Sequence, residues 1–184
     1  HLFNRIFQGF FFIFVRNHKK CNILFLVMIE QISAFFNIEM IYLWLNFGVI
    51  PFWVTLIFFP QSKVCNFIVT SIFPFFILSI IYSYLLYLFY IDGYDFDQNF
   101  SLYLSINNLK ELFLENSFLI LFWIHFLAMN LFCGCWIVKD SQKFNISKYL
   151  NFFPLIITYF IGPIGLFIYW LIRIFFAKRI NLID

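Results

Sequence analysis

The sequence predicts an all-α protein: a polytopic membrane helix bundle of four transmembrane helices, with N-terminal amphipathic or interfacial helices before them. Three observations lead there. Of the 184 residues, 64% are hydrophobic and only 11% are charged, against about 45–50% and about 25% in a soluble domain; that leaves too little charge to solvate a surface. Four apolar segments reach the roughly 20 helical residues needed to cross about 30 Å of hydrocarbon. Backbone groups inside lipid must be satisfied within the segment, so these stretches are helices, despite a richness in aromatic and β-branched residues that would favour strands in water.

Residues 1–39 form the first division, expected to be membrane-surface or docking helices. Leu2, Phe3, Ile6, Phe7, Phe10, Phe11 and Phe14 recur at helical spacing, and Arg16, His18, Lys19 and Lys20 follow. This is the pattern of an interfacial helix with a basic end at lipid phosphates. Cys21–Ile38 is apolar but carries Glu30 and Gln31 at its centre. A carboxylate at mid-membrane costs about 2.5–3.5 kcal/mol, so this stretch is read as surface-lying or packed on a partner.

The second division, 40–178, holds the four spans: Met40–Phe59, Ser71–Ile91, Ser117–Val138 and Phe152–Phe176. Tyr and Cys aside, only His125 in the third and Arg173 in the fourth are ionisable. Pro51, Pro60 and Pro74 kink or bound the first two, and Pro163 is expected to kink the fourth, where Gly162 and Gly165 let a neighbouring helix approach. Of the connections, 92–116 is acidic and 139–151 is Lys-rich. Residues 179–184 are a short tail. With four spans, the N-terminus, the acidic connection and the C-terminus share one side. That side carries Arg5, Arg16, Lys19, Lys20, Lys110, Arg173, Lys178 and Arg179, and the positive-inside rule would place it in the cytoplasm or matrix. Arg16, Lys19, Lys20, Arg173, Lys178 and Arg179 are the expected lipid-phosphate contacts, Arg173 by snorkelling from the end of the fourth span.

Polar groups inside the spans are the candidate sites. At about 100° per residue, Asn130 shares a face of the third span with Trp123, Phe126, Cys133 and Gly134, while His125 points roughly 140° away. One imidazole is neither a metal site nor a catalytic dyad. Asn130 is expected to make an interhelical hydrogen bond. Cys21, Cys65, Cys133 and Cys135 have no zinc-ligand spacing and read as buried thiols. No Ser-His-Asp set, paired buried carboxylates, phosphate-binding glycine loop or His-rich ligand set is present, so no catalytic residue and no metal is assigned. A net charge of +3 with scattered basic residues excludes a nucleic-acid partner.

Four motifs in order carry a family resemblance: Asn46, Pro51-Phe52-Trp53, Leu56 and Pro60; Ile81 to Leu88; Trp123-Ile124-His125-Phe126-Leu127-Ala128; and Gly162-Pro163-Ile164-Gly165-Leu166. Over about residues 45–178 the chain resembles the abscisic-acid-deficient-4-like family. The resemblance implies a four-helix membrane protein; the plant member is needed to make neoxanthin from violaxanthin in the plastid envelope. It also draws attention to Trp123, His125, Asn130, Asp140, Gly162, Pro163 and Gly165 as family-motif positions. Two positions depart from it. The family typically has Asp where this chain has Asn130, and often Arg where it has Cys135. An amide does not titrate, so any proton transfer or cation binding by that acid is lost.

The reading that follows is a non-catalytic integral membrane accessory subunit of an organellar complex on this scaffold. A composition crowded with residues of AT-rich codons (Phe, Ile, Asn, Tyr) favours the mitochondrial inner membrane and a respiratory or ATP-synthase assembly. Its expected partners are membrane lipids and other subunits; it needs no cofactor beyond bound phospholipids. The alternative is a xanthophyll- or isoprenoid-modifying enzyme of a plastid membrane, with a carotenoid near His125, Asn130 and Gly162.

Overall fold

The computed structural model describes residues 37–91, 93 and 104–178. The interfacial helices expected before residue 37 and the tail after 178, with Arg16, Lys19, Lys20 and Arg179, lie outside the described residues. The chain divides into two compact units, 1–41 and 42–184. In the first, only 37–41 are described, where Asn37 Oδ1 accepts from the Met40 amide at 2.7 Å and caps the start of a helix.

All regular structure among the described residues is helical. In chain order the helices are α1 (Ile38–Phe58), α2 (Phe73–Ile91), α3 (Ile106–Phe113), α4 (Asn116–Lys143), α5 (Lys148–Phe160) and α6 (Gly162–Ala177), with a π-helical turn at Cys65–Val69 between α1 and α2. α1, α2 and α4 are long and apolar enough to cross a membrane, and they match the first three expected spans to within a few residues at every end but one. The exception is the end of α4, which continues five residues past Val138 and carries Asp140 into the helix. At about 1.5 Å per residue, its 28 residues extend about 42 Å, more than the hydrocarbon thickness. α3 is a short helix inside the acidic connection; the Ser105 hydroxyl accepts from the Asn107 amide at 3.2 Å and caps it.

α4 is the centre of the bundle. Of its apolar stretch, 44% is buried, against 28% in α1 and 22% in α2. α1 reaches α5 through large side chains, Trp53 meeting Tyr159 with ring centres 5.3 Å apart and Phe58 meeting Phe152 at 5.9 Å, and the Trp53 ring also packs against Gly134 of α4. Phe47, Phe67, Phe76, Tyr87 and Phe175 point away from the bundle.

The fourth apolar segment departs from expectation. It is not one kinked span but two helices broken at Ile161, whose φ of −141° and ψ of 78° are extended. Neither α5 (13 residues) nor α6 (16 residues) reaches spanning length. The break follows from Pro163: with no N–H and a ring that would meet the carbonyl of Tyr159, it cannot continue α5, but it fits the first turn of a new helix. α6 then folds back along α5. A Cβ on Gly165 would collide with Thr158 and with the Pro154 carbonyl, residues that a straight helix would hold about 10 and 16 Å away. α6 therefore runs alongside α4 in the same direction: Gly162 lies at Asn130, Tyr169 at Trp136 and Asp140, and Arg173 at Asp140 and Phe144. The end of α6 comes back to the end of α4 at which α5 began. Lys178, which closes α6 in the left-handed conformation, thus shares that end with Lys139, Lys143 and Lys148. The four-span arrangement instead put Lys178 with the acidic connection.

Candidate functional site

Polar side chains inside this apolar bundle lie along α4 and its neighbours, in three groups. Nearest the acidic connection, Trp123 Nε1 donates to Asn46 Oδ1 at 3.2 Å, and Asn46 Nδ2 donates to the Tyr42 carbonyl at 2.7 Å. Trp123 also stacks on Phe126 at 5.3 Å. The family-motif tryptophan is thereby fixed to α1.

Within the next two turns, α4 presents different faces to different surroundings. His125 faces outward into a cleft of about 310 Å³ between α2 and α4, lined also by Ser79, Tyr82, Ser83 and Ala128. The Ser83 hydroxyl donates back to the Ser79 carbonyl at 2.8 Å. Asn130 faces inward and is buried, which suits the interhelical hydrogen bond expected of it. Its Nδ2 donates to the Tyr159 carbonyl at 3.5 Å. In an unbroken helix that carbonyl would receive the amide of residue 163, which is proline and has none; Asn130 supplies the missing donor at the hairpin apex. Any Cβ at Gly162 would strike Asn130 Oδ1, so Gly162 is glycine because α6 starts against this amide. Gly162, Pro163 and Gly165 thus make the turn between α5 and α6.

The third group was not anticipated from the sequence. Asp140 Oδ2 accepts from Tyr169 Oη at 2.6 Å and from Arg173 Nε at 2.7 Å. Exposure is 8% for Asp140, 0% for Tyr169 and 4% for Arg173, so the ion pair is enclosed between α4 and α6. The Arg173 guanidinium lies 4.9 Å from the centre of the Phe144 ring, and Trp136 meets Tyr169 edge-on at 5.6 Å. The expectation that Arg173 snorkels to lipid phosphate is corrected: with α6 running beside α4, the nearest anion is Asp140, and the side chain turns inward. Lys178, one turn later, is exposed. Asp140 and Arg173 were visible as charges, but only the reversal of α6 brings them together, and no spacing rule reports that reversal.

Cys135, the other departure from the family pattern, donates from Sγ to the Val69 carbonyl at 3.4 Å, at the end of the π-helical turn. Cys65, in the same turn and outside the three spans, is a buried free thiol. Burial pushes it up to about 11, with the nearby charge of Lys139 opposing. Among the described residues no group of three His, Cys, Asp or Glu side chains could hold a metal ion. Chemically, the Asp140 group can hold helices together: its carboxylate is neutralised by Arg173 and capped by Tyr169, and both partners are buried.

Comparison with known proteins gives one result. The model of the ABA DEFICIENT 4-like family matches residues 40–169, about seven tenths of the chain, from α1 to Tyr169. No curated protein and no solved structure matches. The match takes in the hairpin apex, Asn130, Asp140 and Tyr169, and it covers well over half of the sequence: the chain belongs to the ABA DEFICIENT 4-like family.

Proposed function

We propose that this protein is a non-catalytic membrane subunit of an organellar complex, built on the family's helical scaffold. One observation carries the reading: the polar side chains that α4 turns toward its neighbouring helices are spent on those helices. Asn46 binds Trp123, Asn130 binds a hairpin carbonyl, and Asp140 is neutralised by Arg173 and Tyr169. A catalytic acid or base must be free to exchange a proton with a bound molecule, and these groups have the geometry of interhelical fasteners instead. The broad apolar faces of α1 and α2 supply surface for lipid and for neighbouring subunits. The coding bias keeps the mitochondrial inner membrane as the proposed compartment. Blue-native electrophoresis in mild detergent, followed by mass spectrometry, tests this. The protein should co-migrate with a defined set of larger partners; migration as a lone chain of ~22 kDa would refute it.

A second reading rests on the His125 cleft. Ser79, Tyr82, Ser83 and His125 place hydroxyls and an imidazole between α2 and α4, where an oxygenated isoprenoid could bring a polar end group. Under this reading the protein is a xanthophyll- or isoprenoid-modifying enzyme of a plastid membrane. Expression in cells that accumulate violaxanthin, with chromatography of the pigments, distinguishes the two. A new product that disappears in His125→Ala would establish the second reading, and an unchanged pigment profile would remove it.

A further inference from the structure

A second cavity, of about 210 Å³, lies at the Lys-rich end of the bundle, where the chain leaving α1 meets the turn between α4 and α5. Its height is set by the helices around it. α1 ends at Phe58, α4 at Lys143, and α5 begins at Lys148, so the cavity sits where hydrocarbon gives way to headgroups. Gln142 Nε2 donates to the Pro60 carbonyl at 2.7 Å and closes one wall.

The cavity is rich in donors. It is lined by Gln61, Asn145, Ser147, Lys148 and Asn151, with no acidic side chain among its lining residues. Ser147 and Lys148 are the start of α5, and the Ser147 side chain makes no capping bond. The Ser147 carbonyl accepts from the Leu150 amide at 3.0 Å, which leaves the Lys148 and Tyr149 amides as the donors at the start of α5, and the positive end of the helix dipole adds to the Lys148 charge. Lys148 Nζ rests 5.3 Å from the centre of the Tyr149 ring.

An independent observation points to a ligand. Asn151 is 3% exposed, yet its Oδ1 has no hydrogen-bond partner. It is the one enclosed side-chain nitrogen or oxygen among the described residues with this deficit, and it lines this cavity. Buried polar atoms are nearly always paired. A hydroxyl donor from a bound molecule would complete Oδ1, while an anionic oxygen would complete Lys148 and the α5 amides. Turning the amide over leaves an NH2 in the same place, which would bind a second ligand oxygen instead.

We propose that this cavity binds a phosphate ester that also carries a free hydroxyl, the chemistry of a glycerol-type phospholipid headgroup. The phosphate sits at the α5 N-terminus against Lys148, and the hydroxyl reaches Asn151. This site goes beyond the subunit reading and does not depend on it: a scaffold and an enzyme could each carry it.

The test uses the full chain in phosphatidylcholine nanodiscs, with and without phosphatidylglycerol, and follows thermal unfolding, since a ligand that binds only the folded protein raises its midpoint. Phosphatidylglycerol should stabilise the native protein. Lys148→Glu should weaken binding by about tenfold or more, the scale of one charge-assisted hydrogen bond. Asn151→Leu, which removes the orphaned amide and so keeps the fold, should also abolish the response, whereas Lys63→Glu, an exposed lysine at the same end but outside the cavity, should keep it. Glycerol 3-phosphate added to phosphatidylcholine discs separates the sources: a response there assigns the site to a soluble ester, and a response to the lipid alone assigns it to the membrane. No response to either, an equal response in all three variants, or equal stabilisation by phosphatidylmethanol, whose diester has no hydroxyl, overturns the proposal.

Discussion

α1, α2 and α4 on one hand and the α5–α6 hairpin on the other are made of the same apolar material but behave differently. The three long helices run unbroken for 19 to 28 residues. Pro51 sits inside α1 without ending it; the Thr55 hydroxyl donates to the Pro51 carbonyl at 2.8 Å. In the hairpin, Thr158 donates to the Pro154 carbonyl in the same way at 2.7 Å, yet the chain reverses three residues later. Proline alone therefore does not turn a membrane helix. The reversal coincides with Pro163 set between two glycines, Gly162 and Gly165, which allow α6 to close onto Asn130 and α5. Hydropathy sets how much chain lies at membrane depth; small residues and fixed polar pairs set which way it runs.

The largest expected effect is topological. If α5 and α6 enter and leave at one end, cysteines placed at Lys63 and Lys178 should react with a membrane-impermeant maleimide from the same side of sealed vesicles, and one at Lys110 from the other. The contrast is all or none. Labelling of Lys178→Cys together with Lys110→Cys would restore four crossings and break the comparison at its root. The positive-inside rule then adds a direction: the end bearing Lys63, Lys139, Lys143, Lys148 and Lys178 should face the cytoplasm or matrix.

Next in size is the Asp140 group. Arg173→Leu leaves a buried carboxylate with only Tyr169, and the loss of one partner of an enclosed ion pair costs about 3–5 kcal/mol. Asp140→Leu should cost a similar amount. The double variant Asp140→Leu/Arg173→Leu should recover most of it, because no unpaired charge remains. Reversible unfolding in mixed micelles measures all three. Two single variants as stable as the native protein would mean that the hairpin is held by packing alone. Smaller again is Gly165→Ala. Its methyl would meet Pro154 and Thr158 backbone atoms, which cannot rotate away, and overpacking of this kind costs about 1–3 kcal/mol.

How far these features were legible in the sequence follows from the same contrast. Spans α1, α2 and α4 could be read to within a few residues because an unbroken helix in lipid leaves a single local signal, about 20 apolar residues. That Asn130 and His125 lie on different faces of α4 came from helical periodicity, which is equally local; that His125 is the one facing outward did not. The Asp140–Tyr169–Arg173 group could not be read so. Its members stand 29 and 33 residues apart, and their meeting depends on a reversal at Ile161 to which hydropathy is blind. Tyr169 looked like one more membrane aromatic, and Arg173 like a snorkelling cation near a helix end. Gly162-Pro163-Ile164-Gly165 was the available signal, but the same four residues also suit a kink in a continuous span. Asn151 gave no sequence signal, because an asparagine near a helix start is ordinary until its amide is found buried.

The smallest effect tests the apex itself. Asn130→Leu removes a hydrogen bond of 3.5 Å, a long one, and interhelical bonds of this type average about 0.6 kcal/mol. The loss should be of that order, and its origin can be separated from packing by pairing it with Pro163→Ala. Alanine at 163 restores a backbone N–H, which in a continuous helix would go to the Tyr159 carbonyl and make the Asn130 side chain redundant. If the reversal is held by Gly162, Gly165 and the Asp140 group, the new N–H is not delivered there, and the two substitutions should add to within about 0.5 kcal/mol. A clear departure from additivity, with Asn130→Leu costing nothing once residue 163 can donate, would mean that α5 and α6 have fused. Pro163 alone would then separate a re-entrant hairpin from a fourth span.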